Sequence, residues 1–229
     1  MKTDDQPGKT PCTWRPVDEC AGCGIDGKLL CRWDRGVLVS LQVPAFSFMA
    51  LACLILVLRG LSGGGWWPLI AYAAFCLFFF GFFEIRILCS HCPYYAERSR
   101  VLHCLLNHGA IKFFRYRPSP MRPWEKAALL VCFAVFGFYP LVFAGLLIAR
   151  AAAGAAVVGL WGAIVAATSV TLSLASFYIT LRVHACRRCV NLSCPLNRVP
   201  PEVRAAFLER NPELRAAWEA AEENRKERR

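Results

Sequence analysis

Residues 37–58 read VLVSLQVPAFSFMALACLILVL, 22 positions without a charged side chain. As a helix this run rises about 33 Å, enough to cross the ~30 Å hydrocarbon core of a bilayer. Three further stretches, 66–88, 127–149 and 156–181, are similarly long and apolar, with Glu84 and Arg86 near the end of the first as their only charged residues. Hydrophobic residues make up 56% of the 229 positions, so little sequence remains to bury four such helices in a soluble core. The sequence predicts an all-α integral membrane protein with four transmembrane helices.

Loop lengths predict how the helices pair. The links 59–65 (RGLSGGG) and 150–155 (RAAAGA) are short, which predicts two hairpins; residues 89–126 form the long connection. With four spans, both termini and this long loop fall on one side of the membrane. That side carries 25 of the 27 Lys and Arg residues, and the hairpin tips carry only Arg59 and Arg150. The positive-inside rule assigns it to the cytoplasm, as in a bacterial inner-membrane protein. The net charge of +11 then reads as a topology signal, and no nucleic-acid-binding motif accompanies it. The expected partners are the lipid bilayer and a cytoplasmic or membrane protein. No Gly-rich phosphate loop, HExxH or Ser–His arrangement marks a familiar enzyme. The expected segments are 1–36 (a cysteine-rich tail), 37–88 (hairpin 1), 89–126 (a Cys/His loop with a basic-aromatic stretch), 127–181 (hairpin 2) and 182–229 (a Cys motif and amphipathic tail).

Ten of the 13 cysteines and all four histidines fall in the segments assigned to the cytoplasm. Residues 1–36 lack an apolar leader-type run, which points to a reducing compartment. There, thiols serve metals or redox chemistry more readily than structural disulfides. Cys12, Cys20, Cys23 and Cys31 follow a C-x7-C-x2-C-x7-C pattern. Four thiolates so close in sequence suit one tetrahedral site. The core Cys20-Ala21-Gly22-Cys23-Gly24 resembles the CxxCG knuckle of zinc ribbons and rubredoxins. The second knuckle of a zinc ribbon is absent.

The other group comes from distant segments. The second span runs into Cys89-Ser90-His91-Cys92-Pro93, and the fourth into Cys186-Arg187-Arg188-Cys189 and then Cys194-Pro195. The sequence predicts that Cys89, Cys92, Cys186 and Cys189 converge on one metal, with Cys194 and Cys104 as further candidate ligands. His91 and His184 stand as candidate ligands beside a plain polar-surface reading. This layout is similar to that of membrane ferredoxin subunits of the quinol-oxidising type, which place Cys-Pro motifs just beyond their spans. The resemblance implies iron–sulfur clusters, but the C-x3-C-P and C-x2-C-x2-C-x3-C-P runs of that family are missing.

Two functions follow. With zinc, the cysteine layer is a structural or docking module on a membrane anchor or accessory factor. With iron–sulfur clusters, the protein passes electrons between a cytoplasmic partner and membrane quinone. The knuckle and the incomplete ferredoxin spacing tip the balance toward zinc.

The remaining features read more plainly. Small residues of the fourth span (Ala155, Gly159, Gly162, Ala166, Ser169, Ser173, Ser176, Thr180) predict its packing face. Glu84 and Arg86 predict an interfacial pair. No histidine lies in a span, which excludes bis-histidine haem there, and Cys53, Cys76 and Cys132 read as packing residues. The aromatic and basic residues of 111–126 predict contact with lipid headgroups. Asn211-Pro212-Glu213 predicts a capped helix start in the tail.

Overall fold

The structure, a computed structural model, describes residues 11–14, 17–20 and 22–227. Lys2, Lys9, Arg15, Arg228 and Arg229, which contribute to the orientation argument, lie outside them. The described residues form helices and connecting loops, without a strand and with a single antiparallel bridge between Val101 and Ile111. Four helices are long and apolar enough to cross a membrane: Arg35–Gly64, Trp67–His91, Pro123–Ala152 and Leu160–Ala185. Their regular parts are α1 (Arg35–Arg59), α2 (Trp67–Phe78), α3 (Glu84–Ile87), α4 (Pro123–Ala152) and α5 (Leu160–Thr180). The tail adds α6 (Pro201–Glu209) and α7 (Pro212–Lys226). One-turn π segments at Phe79–Phe83 and Leu181–Ala185 interrupt the second and fourth spans shortly before their cysteine motifs.

The fourth helix starts later than the sequence predicts. Helix α4 runs on through Ala151 and Ala152, strong helix formers, and stops where Gly154 takes a left-handed φ of 68°. Gly159 then stands at the start of α5.

Val39–Phe83 and Ala127–Leu181 make one compact unit. Its centre is Phe136 of α4, which is fully buried. Phe48 of α1 meets it edge-on at 5.1 Å, Tyr72 of α2 stacks at 6.2 Å, and Phe177 of α5 lies at 6.3 Å. Aromatic pairs of this kind contribute about 0.5–1.5 kcal/mol each beyond the area they bury. Arg150 donates to the Ser62 carbonyl just past the end of α1, where a cation suits the helix dipole. The side chains of Leu77, Phe138, Trp161 and Val165 point outward and are largely exposed, as contact with lipid requires.

The small-residue seam lies along the edge of the packing face of α5 rather than at its centre. The buried side chains are Ala163, Val170, Leu174 and Phe177; Ala166, Ser169, Ser173 and Thr180 of the seam are half-buried, and Gly159, Gly162 and Ser176 are exposed. Large side chains are needed to fill the space around Phe136. The small residue that allows close approach lies on α4 instead. A Cβ added at Gly137 would come within 3.2 Å of the Leu174 side chain.

The other compact unit gathers Met1–Leu38, Glu84–Lys126 and Arg182–Arg229. Long-range contacts stitch its three segments together. The Trp14 ring N–H donates to the Pro93 carbonyl at 2.9 Å, and the Tyr94 hydroxyl donates to the Leu30 carbonyl at 2.6 Å. The Leu30 N–H donates to the Arg188 carbonyl at 2.7 Å, and the Asn191 side chain donates to the Leu88 carbonyl at 3.1 Å. Helices α6 and α7 bury Val203, Phe207, Leu214 and Trp218, the faces that the sequence marks as apolar. Arg204 lies over the Trp218 ring at 4.3 Å.

Three local expectations are corrected here. Glu84 and Arg86 do not pair: Glu84 is buried and bonds Asn107, while Arg86 lies over the Phe114 ring. Arg117 is not a free headgroup cation, because it pairs with buried Glu125 at 2.9 Å and donates to the Arg86 carbonyl at 2.7 Å. Asn211 precedes α7, but its side chain makes no cap hydrogen bond and turns instead to Cys12.

Candidate functional site

All ten cysteines predicted as ligands belong to the unit built from the three segments, and they fall into two groups. Cys12, Cys20, Cys23 and Cys31 line one small cavity of about 30 Å³, with Glu19 and Arg210 at its walls. Two tight turns shape it. The Cys23 N–H donates to the Cys20 carbonyl at 3.0 Å, and the Asp26 N–H donates to the Cys23 carbonyl at 3.0 Å. Gly22 takes a left-handed φ of 74° in the first turn, and Gly27 one of 69° in the next turn along, where the Lys28 N–H donates to the Ile25 carbonyl at 3.1 Å; Gly24 does not.

Side chains already donate to the sulfurs of this group. An Arg32 guanidinium N–H reaches the Cys20 Sγ at 3.3 Å, and the Asn211 side-chain N–H reaches the Cys12 Sγ at 3.4 Å. Asn211 also accepts the Cys12 backbone N–H at 2.7 Å and donates to the Phe207 carbonyl at 2.6 Å. The Cys31 thiol is held far above its ordinary range, first by its hydrogen bond with Cys12, then by burial and by the charges of Cys12, Cys23 and Cys20. All of these effects but burial require the thiols to be close together.

The second group draws on two segments. Burial pushes the Cys92 thiol up, and the charges of Cys189, Cys104 and Cys194 add to the effect. Burial raises Cys104 to about 12, opposed by hydrogen bonds from Leu106 and Asn107 and reinforced by Glu84 and Cys189. Cys194 is pushed up to about 12 by burial, with Cys189, Cys186 and Glu84 adding their charges. Cys186 rises to about 11 through burial and Cys189, while Arg182 and Arg198 pull it down. Cys189 is raised by burial.

Cys189 thus acts on Cys92, Cys104 and Cys194, and Cys92 feels Cys104 and Cys194 as well. Asn107 ties Cys104 to Cys89: its N–H donates to the Cys104 Sγ at 3.0 Å and its side chain to the Cys89 Sγ at 3.3 Å. Burial also pushes the Cys89 thiol up, with the charges of Glu84, Cys104 and Cys92 adding to it, while Cys186 acts on Cys189 and Cys194. The Val101–Ile111 bridge closes the loop that carries Cys104 and Asn107.

The histidines stay apart from both groups. The His91 Nδ1 lies 2.6 Å from the Ser119 carbonyl and its Nε2 lies 3.4 Å from the Glu125 carboxylate. His184 is exposed, His103 pairs with Glu97 at 2.5 Å, and His108 stacks on Trp33. All 13 cysteines are free thiols, and among the described residues no three His, Cys, Asp or Glu side chains are arranged to hold a metal ion. The thiols are close enough to act on one another without standing in coordination geometry.

Sequence reasoning missed Asn107, Asn211 and Arg32 as donors to sulfur and Glu84 as a buried acid beside the second group. An acid in the last turns of an otherwise apolar span was the one available signal. Compared with models of protein families, with curated proteins and with solved structures, the chain matches none.

Proposed function

We propose that this chain is an integral membrane metal-binding protein whose cysteine-rich unit lies on the cytoplasmic side, held there by two transmembrane hairpins. In this reading it serves as a membrane anchor or docking factor for a cytoplasmic or membrane protein partner. One observation carries it: three segments separated by membrane-crossing helices fold into one unit that holds ten thiols in a group of four and a group of six. Gathering so many thiols, buried or half-buried, with sulfur-directed N–H donors makes little sense for packing alone, whereas a thiolate–metal centre needs such donors. Metal entry would release the thiol protons and draw the sulfurs to ~2.3 Å from the ion.

Zinc is the preferred occupant. Cys12, Cys20, Cys23 and Cys31 line one small cavity, and four thiolates suit one tetrahedral ion. A second reading, iron–sulfur electron transfer to membrane quinone, draws on the larger second group, whose six thiols exceed the needs of one tetrahedral ion.

Anaerobic purification of the full chain, followed by elemental analysis and a visible spectrum, separates the two. A colourless protein with stoichiometric zinc is expected. A brown protein with iron and acid-labile sulfide would transfer the assignment to electron transfer, and a metal-free protein would overturn both. Maleimide labelling of Cys12, Cys104 and Cys194 in intact cells tests the orientation, since labelling from outside contradicts it.

A further inference from the structure

Two carboxylates in the three-segment unit are almost fully buried, and the chain treats them very differently. Glu125 is 0% exposed and well partnered. It takes the Arg117 guanidinium at 2.9 Å and the Arg122 backbone N–H at 2.8 Å, with the His91 ring at 3.4 Å. Glu84 is 4% exposed and has no cation partner among the described residues. Its Oε2 accepts one hydrogen bond, from the neutral side-chain amide of Asn107 at 3.1 Å, and its Oε1 makes none. A buried carboxylate lacking a positive partner is a poor arrangement for stability.

The missing charge lies in the direction of the thiols. The Asn107 Nδ2 that holds Glu84 also touches the Cys89 Sγ at 3.3 Å, so oxygen and sulfur are no further apart than those two contacts laid end to end. Glu84 also acts electrostatically on Cys104 and Cys194, which places it among the second group rather than beside it. One-turn π segments, which recur at functional sites, come just before Glu84 and just before Cys186.

We propose that Glu84 is an oxygen ligand to a metal ion held by the second cysteine group, which makes that centre a mixed thiolate–carboxylate site. The inference rests on the reading of this group as a metal centre. Zinc, cobalt and iron all accept sulfur and carboxylate oxygen together. In the metal-free chain Asn107 shares its side-chain N–H between Glu84 and Cys89. A cation arriving among Cys89, Cys92 and Cys104 binds the free oxygen of Glu84 and supplies the charge that the fold leaves out.

The test is a Co²⁺ titration of the full chain in detergent, comparing wild type with Cys92→Ser, Glu84→Gln and Glu84→Asp. The cobalt bound at the N-terminal group serves as an internal folding control. Cys92→Ser should abolish the second equivalent; if it does not, the metal reading of this group falls and the proposal with it. Glu84→Gln should keep the sulfur-to-cobalt charge-transfer bands, shift the ligand-field bands of the second equivalent, and weaken its binding at least about tenfold. If Glu84→Gln misfolds, Glu84→Asp keeps the charge while shortening the reach, and the same band shift is expected. Should Cys92→Ser lose the second cobalt while the folded Glu84 variants keep wild-type bands and affinity, the metal centre stands and Glu84 is not its ligand.

Discussion

The hydroxyl of Tyr72 donates to the main-chain carbonyl of Phe136 at 3.0 Å. That carbonyl would ordinarily accept the N–H of residue 140, but Pro140 has none. In an apolar interior the orphaned carbonyl needs another donor, and a phenol on a different helix provides it. Tyr72→Phe is expected to destabilise the helical unit by about 1–3 kcal/mol, the cost of leaving a buried acceptor unpaired. Tyr139, which donates to the Pro68 carbonyl at 3.1 Å, gives the contrast. Pro68 sits in the first turn of α2, where the helix itself provides a donor for that carbonyl, so Tyr139→Phe should cost less. Unfolding in mixed detergent measures both, and equal effects would contradict the account.

Glu125 and Arg117 make a second, larger test. Breaking a buried pair strands a charge, so Arg117→Met should cost about 3–5 kcal/mol, and the double variant with Glu125→Met should recover much of it. Arg215 and Glu219 also pair, at 2.7 Å, but both side chains are more than half exposed. Arg215→Ala should therefore change stability by no more than about 0.5 kcal/mol. A double-mutant cycle showing no coupling between Arg117 and Glu125 would refute the assignment.

Asn211→Ala should free the N-terminal segment. It removes the acceptor for the Cys12 N–H, the donor to its sulfur and the bond to the Phe207 carbonyl together. In metal-free protein, alkylation of Cys12 is expected to speed up at least several-fold while that of Cys104 stays unchanged. An unaltered Cys12 rate would mean that Asn211 does not hold it.

The metal-free protein should lose stability in alkali. Cys104 and Cys194 titrate near 12 in the folded chain against an ordinary 9.0, so on unfolding they give up protons more easily. As pH rises past about 9 the unfolded state binds fewer protons than the native one, and the stability of unfolding falls until the folded thiols titrate. Urea midpoints at pH 8 and pH 10 measure the slope. Cys104→Ser should flatten it, and an unchanged slope in that variant would exclude Cys104 as a source.

The four long helices were legible in the sequence because an apolar run of span length needs no partner to declare itself. Packing between them was not. The seam of small residues on the fourth span promised close contact, yet the chain buries Val170, Leu174 and Phe177 and yields space at Gly137 of the neighbouring helix. A face cannot be chosen until the shape of its partner is known. The same holds in the cysteine-rich unit. Asn211 carries every mark of a helix cap, but Cys12 competes for its side chain from 199 positions away. Glu84 looked like half of an interfacial ion pair, and only the fold of the 101–111 loop brings Asn107 to it. Local spacing identifies donors by type; it does not say which distant group claims them.

The bond between Asn211 and Cys12 also sets a schedule. It joins two residues whose synthesis is separated by 199 positions. At roughly 5–20 residues per second of synthesis, Cys12 waits on the order of 10–40 s for Asn211 to emerge. All four long helices are made in that interval. During it the early thiols lack a donor that quiets one of them, and they are open to oxidation or to capture by the wrong ion. A chain halted before residue 211 would keep them so permanently, which gives quality control a chemical mark by which to tell the unfinished protein from the finished one.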